Sequence, residues 1–506
     1  MSPFEGLAYG FSIAMQWPNL AACFVGVLIG TVVGVLPGIG PIGAMALLLP
    51  VTYTMTPAGA LIMLAGIYYG SMYGGSTTSI LLRVPGEVSS VITTLDGHEM
   101  ARRGRAGAAL FVAAIGSFVA GSVGILGLAF LAPVLASTAL KFGPPEFLAL
   151  CILGLLVLSR LTDSSLLRAA MMAALGLGLS TVGMEPMSGV SRFTFGVLDL
   201  SQGFELVPIA IGLFGVSELL SSAHDKLNAE RPLPVRLREL LPTRAEWKRA
   251  QGPIARGSVL GFLFGLIPGP TAIIATFSSY AMERRLSKHP EEFGHGAIEG
   301  VAGPEAANNG AAQGAFIPLL ALGIPFAPAS AMLLTALLIH GAQTGPLLMT
   351  KSPEIFWGVT SSMYVGNIML LLLNLPLIGV FVALLRLPIY LISSIVVLLC
   401  VVGTYAISNS LLDLWVLLAS GVLGYVLRLL KFEPAILLMA LALGPILERS
   451  FLQSLYLTQG DQASILERPL AGAMFVLAAL VLIFPLVKKW VRSLLPAPQE
   501  SDSHAA

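Results

Sequence analysis

The residues best suited to bind a ligand form a short polar run in the second half of the chain. A carboxylate and three amides, at Glu305, Asn308, Asn309 and Gln313, occur within nine residues. Asn side chains can donate hydrogen bonds to a carboxylate ligand or offer oxygens to sodium. Apolar sequence follows this run, so we expect its polar groups at membrane depth, where they are usually functional. The alternative is interhelical hydrogen bonding that holds the fold together. We favour a binding role because Gly and Pro breaks coincide with the run.

A second polar run lies in the first half of the chain. It contains Gly74, Gly75, Ser76, Thr77 and Thr78. We expect the two glycines to interrupt a helix and the three hydroxyl residues to cap the helix that restarts, where exposed N–H groups attract an anion. The alternative is that these small residues only let two helices pack closely. Both interpretations remain open at this stage.

Arg83 is a basic residue within a candidate membrane segment. It could bind a substrate carboxylate through two parallel hydrogen bonds. The plainer interpretation, which we favour, is that it pairs with Glu87 one turn later or extends its charge to the membrane surface.

The sequence patterns of common enzymes are missing. No His-Glu-x-x-His run, Gly-x-Ser-x-Gly elbow or Walker phosphate loop occurs in the sequence. The three cysteines lie far apart in apolar segments, without the spacing of a disulfide framework or a transition-metal site. We therefore predict that the chain is not an enzyme and has no covalent cofactor.

The composition is that of a membrane protein. Hydrophobic residues make up 56% of the chain and charged residues only 11%, and the mean hydropathy is +0.86. A soluble protein carries about 25% charged residues. These values predict an all-α polytopic membrane protein that contacts the lipid bilayer. The net charge of +1 gives no indication of nucleic-acid binding.

A sequence element occurs twice, 231 residues apart. Residues 30–38 read GTVVGVLPG and residues 261–269 read GFLFGLIPG. Each copy is an apolar helix pattern interrupted by Pro-Gly, and paired interruptions of this kind are typical of the binding site of secondary transporters. We predict two repeats of inverted topology, each with a Pro-Gly re-entrant hairpin and a broken transmembrane helix.

The basic residues indicate an orientation. Twenty-two of the 28 Lys and Arg residues fall in loops that the positive-inside rule assigns to the cytoplasm, and five fall in the alternate loops. The N-terminus is then periplasmic and the C-terminus cytoplasmic, and the two halves run in opposite directions. The predicted domains are a first repeat (1–222), a cytoplasmic linker (223–255), a second repeat (256–450), and a segment with a periplasmic loop, a final transmembrane helix and a cytoplasmic tail (451–506).

Several motifs together carry a resemblance to a known family. They include LPGIG at 36–40, YGGSTTSILL at 73–82, DGH at 96–98 and GPEAANNGAAQGAFIPLLALGIP at 303–325. The chain resembles the TctA family, the large membrane subunits of tripartite tricarboxylate transporters. The resemblance implies a permease of the bacterial inner membrane with a TctB-like small four-helix membrane subunit and a TctC-like periplasmic solute-binding protein as partners. It further implies import of citrate-like di- or tricarboxylates driven by Na⁺ or H⁺, and by analogy an elevator-like alternating-access motion.

The resemblance also places a site between the two interrupted regions. Helix-start N–H groups, hydroxyls and amides would bind the carboxylate oxygens, and backbone carbonyls near the breaks would bind the ion. The implied substrate-binding residues are Gly38, Gly75, Ser76, Thr77, Thr78, Arg83, Gly269, Asn308, Asn309 and Gln313. The implied ion-binding residues are Pro37, Gly74, Pro268, Glu305 and Gly310, with no transition-metal site. Asn is common in the family at the position of Arg83. A channel or a membrane scaffold without transport remains the alternative function, and an intramembrane enzyme is a third.

Overall fold

The chain is almost entirely helical. The computed structural model describes residues 1–36, 40–161, 165–185, 188–224, 240–384, 394, 397–398, 400–405, 409–459, 461 and 463–494. Its α-helices are α1 (Pro3–Ala14), α2 (Trp17–Val35), α3 (Gly40–Thr52), α4 (Pro57–Leu82), α5 (Thr93–Met100), α6 (Ala106–Ala139), α7 (Pro144–Leu161), α8 (Leu166–Ser180), α9 (Leu206–Ala210), α10 (Ser217–His224), α11 (Arg244–Gly265), α12 (Thr271–Leu286), α13 (Glu299–Gly314), α14 (Pro328–Ile339), α15 (Leu348–Lys351), α16 (Pro353–Asn374), α17 (Ile378–Leu384), α18 (Leu411–Leu429), α19 (Pro434–Leu457), α20 (Ala463–Glu467) and α21 (Pro469–Leu494). Two two-residue strands, β1 (Gly183–Met184) and β2 (Ser191–Arg192), pair antiparallel.

Long apolar helices confirm the predicted all-α membrane class. Within the described ranges, five helical segments are long and apolar enough to cross a bilayer. They are α2, the run from α5 through α6, α16, α18 and α19. Several helices of the described structure, among them α1, α4, α8, α11 and α18, begin after a residue whose side chain caps the helix. For example, the side chain of Thr56 accepts a hydrogen bond from the Gly59 N–H at the start of α4.

The repeated sequence element packs in the same way in both halves. A Cβ on Gly30 of α2 would lie 2.5 Å from the carbonyl oxygen of Ile67 in α4, and one on Gly261 of α11 would lie 2.2 Å from that of Ala307 in α13. Neither interface has room for a side chain, so each helix pair is in backbone contact. The same close approach occurs at the glycines four residues before and after, which are Gly26, Gly34, Gly257 and Gly265.

The predicted helix break at Gly74-Gly75 is wrong. Helix α4 runs without interruption from Pro57 to Leu82, so Ser76, Thr77 and Thr78 lie in its interior and do not cap a restarted helix. Gly74 serves the packing of α4 on α2, because a Cβ there would lie 2.3 Å from the carbonyl oxygen of Thr31. Close packing on both sides of a buried helix outweighs the roughly 1 kcal/mol by which an interior glycine disfavours helix.

The chain breaks later in both halves. Helix α4 ends at Arg83, whose backbone is left-handed (φ 58°), and α5 begins ten residues after it at Thr93. Helix α13 continues through Pro304, and the chain leaves regular helix in the π-helical turn Pro318–Leu322 followed by the left-handed Gly323. The first polar run therefore lies within α4, and the second lies within α13, with Gln313 in the last turn of that helix.

In the second half of the chain, the Pro-Gly segment separates two helices, as predicted. Helix α11 ends at Gly265, Gly269 has a φ of 133°, and α12 begins at Thr271. In the first half α2 ends at Val35 and α3 begins at Gly40, while Pro37 and Gly38 lie outside the described residues. Whether these hairpins re-enter the membrane remains a prediction. Residues 225–239 of the predicted linker and the tail beyond 494 also lie outside the description, and α11 begins inside the predicted linker.

Candidate functional site

The carboxylate of Glu305 is at the centre of a buried polar cluster. Its side chain is 0% exposed, on α13. One carboxylate oxygen accepts a hydrogen bond from the Ser76 hydroxyl of α4, and the other accepts one from the Thr93 hydroxyl of α5. The polar runs of the two halves, which the sequence predicted to share a site, therefore meet at Glu305.

A second carboxylate, Glu87, lies next to the first group. It is on the segment between α4 and α5, and the Ser89 hydroxyl donates to it. Asn308 of α13 donates its Nδ2 to Glu87 Oε1 at 2.9 Å, while Asn308 Oδ1 lies 2.7 Å from Ser89 Oγ. A Cβ on Gly75 would lie 2.8 Å from Glu87 Cγ, so a glycine at that position makes room for this carboxylate.

Neither carboxylate has a basic partner. In the part of the chain that the structure describes, the acidic residues paired with Arg or His are all others, such as Glu246, Glu283 and Glu299. Burying an ionised carboxylate away from water is costly unless a positive charge or a proton compensates it. The cluster is therefore suited to bind a cation or to hold a proton.

The other two amides of the second polar run leave acceptor oxygens unpaired. Asn309 donates its Nδ2 to the Ser117 hydroxyl of α6 at 2.7 Å and to the Glu305 carbonyl at 3.2 Å. Its Oδ1, and the Oε1 of Gln313, are buried and have no hydrogen-bond partner among the described residues. An unpaired buried acceptor costs about 1–3 kcal/mol, so these oxygens are available to a ligand that offers a proton or a positive charge.

A small cavity adjoins Ser76 and Ser117. Its volume is about 10 Å³, close to the space that one water molecule needs. Its lining residues are Tyr73, Ser76, Thr77, Leu110, Ala113, Ala114, Ser117 and Asn374, from α4, α6 and α16. Sequence reasoning selected Ser76 and Thr77 and missed Ser117 and Asn374. The missed signal was a lone polar residue in an apolar helix, as at Asn374 after four leucines.

Some predicted site residues lie away from the cluster. The Thr78 hydroxyl donates to the carbonyl oxygen of Val35 at the end of α2 (2.7 Å). The Gly269 N–H donates to the carbonyl of Phe326 (3.0 Å). Gly310 packs α13 against α11, since a Cβ there would lie 2.8 Å from the Ser258 carbonyl oxygen.

Pro268 and Arg83 are also outside the cluster. Pro268 is half-buried in the turn after α11. Of the two parts of the interpretation that we favoured for Arg83, the ion pair with Glu87 does not form among the described residues, because Glu87 is held by Ser89 and Asn308. Arg83 is exposed, and its extension to the membrane surface stays a prediction. Arg83 adopts a left-handed backbone that Asn tolerates better than most side chains.

The described residues contain no group of three His, Cys, Asp or Glu side chains that could hold a metal ion. The cluster's donors are hydroxyl, amide and carboxylate oxygens, which suit hard cations and not transition metals.

Comparison with known proteins gives the family. The model of the tripartite tricarboxylate transporter TctA family matches residues 20–439. An uncharacterized 52.8 kDa protein in the TAR-I ttuC′ 3′ region of Agrobacterium vitis is 46% identical over 487 residues, 96% of this chain and 97% of that protein. A second Agrobacterium vitis protein, uncharacterized and in the TAR-II ttuC′ 3′ region, is 44% identical over 227 residues, 45% of this chain and 94% of that protein. No solved structure matches. With a family model matching most of its length, the chain belongs to the tripartite tricarboxylate transporter TctA family.

Proposed function

We propose that the chain is the large permease subunit of a secondary transporter that imports citrate-like di- or tricarboxylates, driven by a sodium or proton gradient. It works in the bacterial inner membrane with a small four-helix membrane subunit and a periplasmic solute-binding protein. Membership of the TctA family and the long apolar helices support this proposal.

One observation supports the proposed coupling of transport to a cation. Glu87 and Glu305 are both held by the polar cluster, and neither is paired with a basic side chain in the described structure. A carboxylate substrate bound near them meets two like charges. At an effective dielectric constant of about 20, two unit charges about 6 Å apart repel by about 3 kcal/mol. A cation or proton that removes one such repulsion strengthens substrate binding about 100-fold, and the substrate strengthens cation binding by the same factor.

The amides of the second polar run are the groups that we assign to the substrate. Asn308 presents an N–H that now binds Glu87, and the buried amides of Asn309 and Gln313 have oxygens without a partner among the described residues, so no hydrogen bond to those oxygens prevents these amides from turning their N–H₂ groups toward a ligand. An amide that rotates offers a donor to a substrate carboxylate. The Ser76 hydroxyl, on the facing helix, completes the contact between the two halves of the chain.

Loop contacts support the topology in which the two halves are inverted repeats. Arg105 pairs with Glu246, which joins two loops that the charge pattern assigns to the cytoplasm. His340 Nε2 lies 3.4 Å from Thr52 Oγ1, so the end of α14, four residues before the loop 344–354 assigned to the periplasm, lies next to the loop 50–57 assigned to the same side. The matching glycine contacts of α2 with α4 and of α11 with α13 fit two copies of one unit. An elevator-like alternating-access motion of these units is the mechanism that we propose.

Uptake by proteoliposomes tests the function. The vesicles hold this chain and its small membrane partner, with or without the binding protein, under an inward sodium gradient or an inward proton gradient. We expect saturable uptake of labelled citrate that requires the binding protein and one of the two gradients. Glu305→Gln should abolish the gradient dependence, while Thr360→Val, which removes a buried hydroxyl bonded within α16, should not.

Two results would contradict the proposal. Flux that does not saturate and does not need the binding protein would indicate a channel. No flux of any of a panel of di- and tricarboxylates, in a correctly inserted complex with either gradient, would indicate a scaffold.

A further inference from the structure

The cavity between α4, α6 and α16 is lined on its polar side by oxygen atoms. The oxygens belong to Tyr73, Ser76, Thr77, Ser117 and Asn374. The other lining residues, Leu110, Ala113 and Ala114, are apolar, and all five polar side chains are at least nine-tenths buried. What such a cavity can bind depends on where the hydrogens of these groups point.

Two of the hydroxyl hydrogens point away from the cavity. Ser76 donates to the Glu305 carboxylate, with a longer contact of 3.4 Å to the Met72 carbonyl. Tyr73 donates to Asn367 Oδ1 at 2.5 Å. The assignment of the Asn367 oxygen is fixed because its Nδ2 donates to the Phe118 carbonyl at 2.8 Å. Both hydroxyls therefore have lone pairs to which no described residue donates.

The amide of Asn374 also uses its donor within the protein. Its Nδ2 donates to the carbonyl of Leu370 one turn earlier at 2.9 Å. Its Oδ1 has no hydrogen-bond partner among the described residues, although the residue is only 6% exposed and lines the cavity. An acceptor buried without a partner costs about 1–3 kcal/mol, which a cation or donor in the cavity would recover.

The remaining hydroxyls can also present oxygen. Ser117 accepts from Asn309 Nδ2 at 2.7 Å, and its own hydrogen is free to rotate. The Thr77 hydroxyl makes no hydrogen bond to another described residue, although the residue is only 3% exposed. A water molecule donates at most two hydrogen bonds, whereas several oxygens can contact one cation at the same time.

We propose that this cavity is a binding site for a sodium ion, with oxygen ligands from Ser76, Thr77, Ser117 and Asn374. Oxygen ligands suit a hard cation, and the ligands are neutral, which favours a monovalent ion over a divalent one. The compensating charge is the Glu305 carboxylate, which accepts the hydrogen of the ligand Ser76. The proposal rests on the proposed function, because it identifies the coupling ion and the residues that bind it.

Thermal unfolding of the purified full-length chain tests the site without a transport assay. The protein is heated in increasing sodium chloride, with choline chloride added to hold the ionic strength constant. An ion that binds only the folded protein raises its stability with concentration. We expect saturable stabilisation of the unmodified protein by sodium. Thr77→Val should raise the sodium concentration of the half-maximal effect at least about 10-fold, the equivalent of about 1.4 kcal/mol.

Thr360→Val is the matched control, because it makes the same substitution at a buried threonine that bonds within its own helix. It should leave the sodium midpoint within about two-fold of the unmodified value. Ser117→Ala provides a second ligand variant should Thr77→Val fail to fold, and it should shift the midpoint in the same direction.

The proposal falls if sodium does not stabilise the unmodified protein, or if the folded Thr77→Val and Ser117→Ala variants keep its midpoint. Gradient-driven carboxylate uptake in that case, driven by protons, would leave the proposed function standing. Sodium stabilisation that is sensitive to Thr77→Val, in a complex that transports no carboxylate, would support the site and contradict the proposed function.

Discussion

Asp96 holds the loop between α12 and α13, and we predict that replacing it opens this loop selectively. The residue lies on α5 and is 0% exposed. Its carboxylate accepts hydrogen bonds from the backbone N–H groups of Gly294 (2.8 Å), Gly296 (2.7 Å) and Ala297 (2.9 Å), and from the Tyr280 hydroxyl (2.8 Å). One side chain from the first half of the chain thus fixes a turn of the second half.

The expected increase in loop opening follows from how deeply the four donors are buried. The bonds from Ala297 and Tyr280 are buried, whereas those from Gly294 and Gly296 are partly accessible, so water can replace Asp96 there at little cost. A hydrogen bond to a charged group contributes about 1.5–3 kcal/mol. The two buried bonds alone give at least about 3 kcal/mol. Asp96→Ala should therefore make local opening of the loop about 100-fold more frequent.

Hydrogen–deuterium exchange measured by mass spectrometry reads this opening directly. In Asp96→Ala, amides of residues 291–298 should exchange about 100-fold faster than in the unmodified protein. Tyr280→Phe removes one of the two buried donors and should accelerate the same exchange about 10-fold. Helix α19, which packs on α7 and α8, serves as the internal control. A change of less than three-fold in Asp96→Ala, with α19 unchanged, would refute the reasoning.

Three further predictions address the cluster and the helix packing. Asn309→Ala removes the hydrogen bond to Ser117 and should lower citrate uptake by proteoliposomes more than about 10-fold, whereas near-normal uptake with normal insertion would make the cluster structural. Gly261→Ala places a Cβ 2.2 Å from a carbonyl oxygen and should lower the free energy of unfolding by about 1–3 kcal/mol. Gly178→Ala is the control, because a Cβ there would have nothing within 4 Å, and it should not lower stability. Equal melting temperatures of the two variants would contradict the packing argument. Arg83→Gly should raise stability by about 1 kcal/mol, because glycine adopts its φ of 58° freely, and a lower melting temperature would be inconsistent with that account.

The membrane class and part of the site could be predicted from sequence. Few charges and high hydropathy indicate that a chain is surrounded by lipid, so the helical membrane class could be predicted from composition. Glu305, Asn308 and Asn309 stood out because carboxylates and amides are rare in apolar sequence. The structure joins them to Ser76, the hydroxyl residue that the sequence analysis selected in the first half.

The rest depends on contacts between distant parts of the chain. Helix α4 continues through Gly74 because α2 packs closely on it there. Local helix propensity cannot predict this, because it does not include contacts with another helix. Thr93 and Glu87 join the cluster only because the segment after α4 folds back against α13. The sequence gives no reason to select Ser117 among the small residues of α6, because its place in the cluster depends on the hydrogen bond that it accepts from Asn309.

The arrangement of rigid and exchangeable contacts indicates where a transport motion can occur. Glycine contacts hold α2 on α4 and α11 on α13 backbone to backbone, and such interfaces cannot slide without steric clash. Between α4 and α13 the described polar contact is instead the hydrogen bond from Ser76 to Glu305, which water can replace. In the proposed transporter, a motion that separates the two helix pairs would therefore break this hydrogen bond first. The proposed sodium binding at Ser76 and the movement of the helix pairs would then depend on the same hydroxyl, which is what coupling a gradient to transport requires.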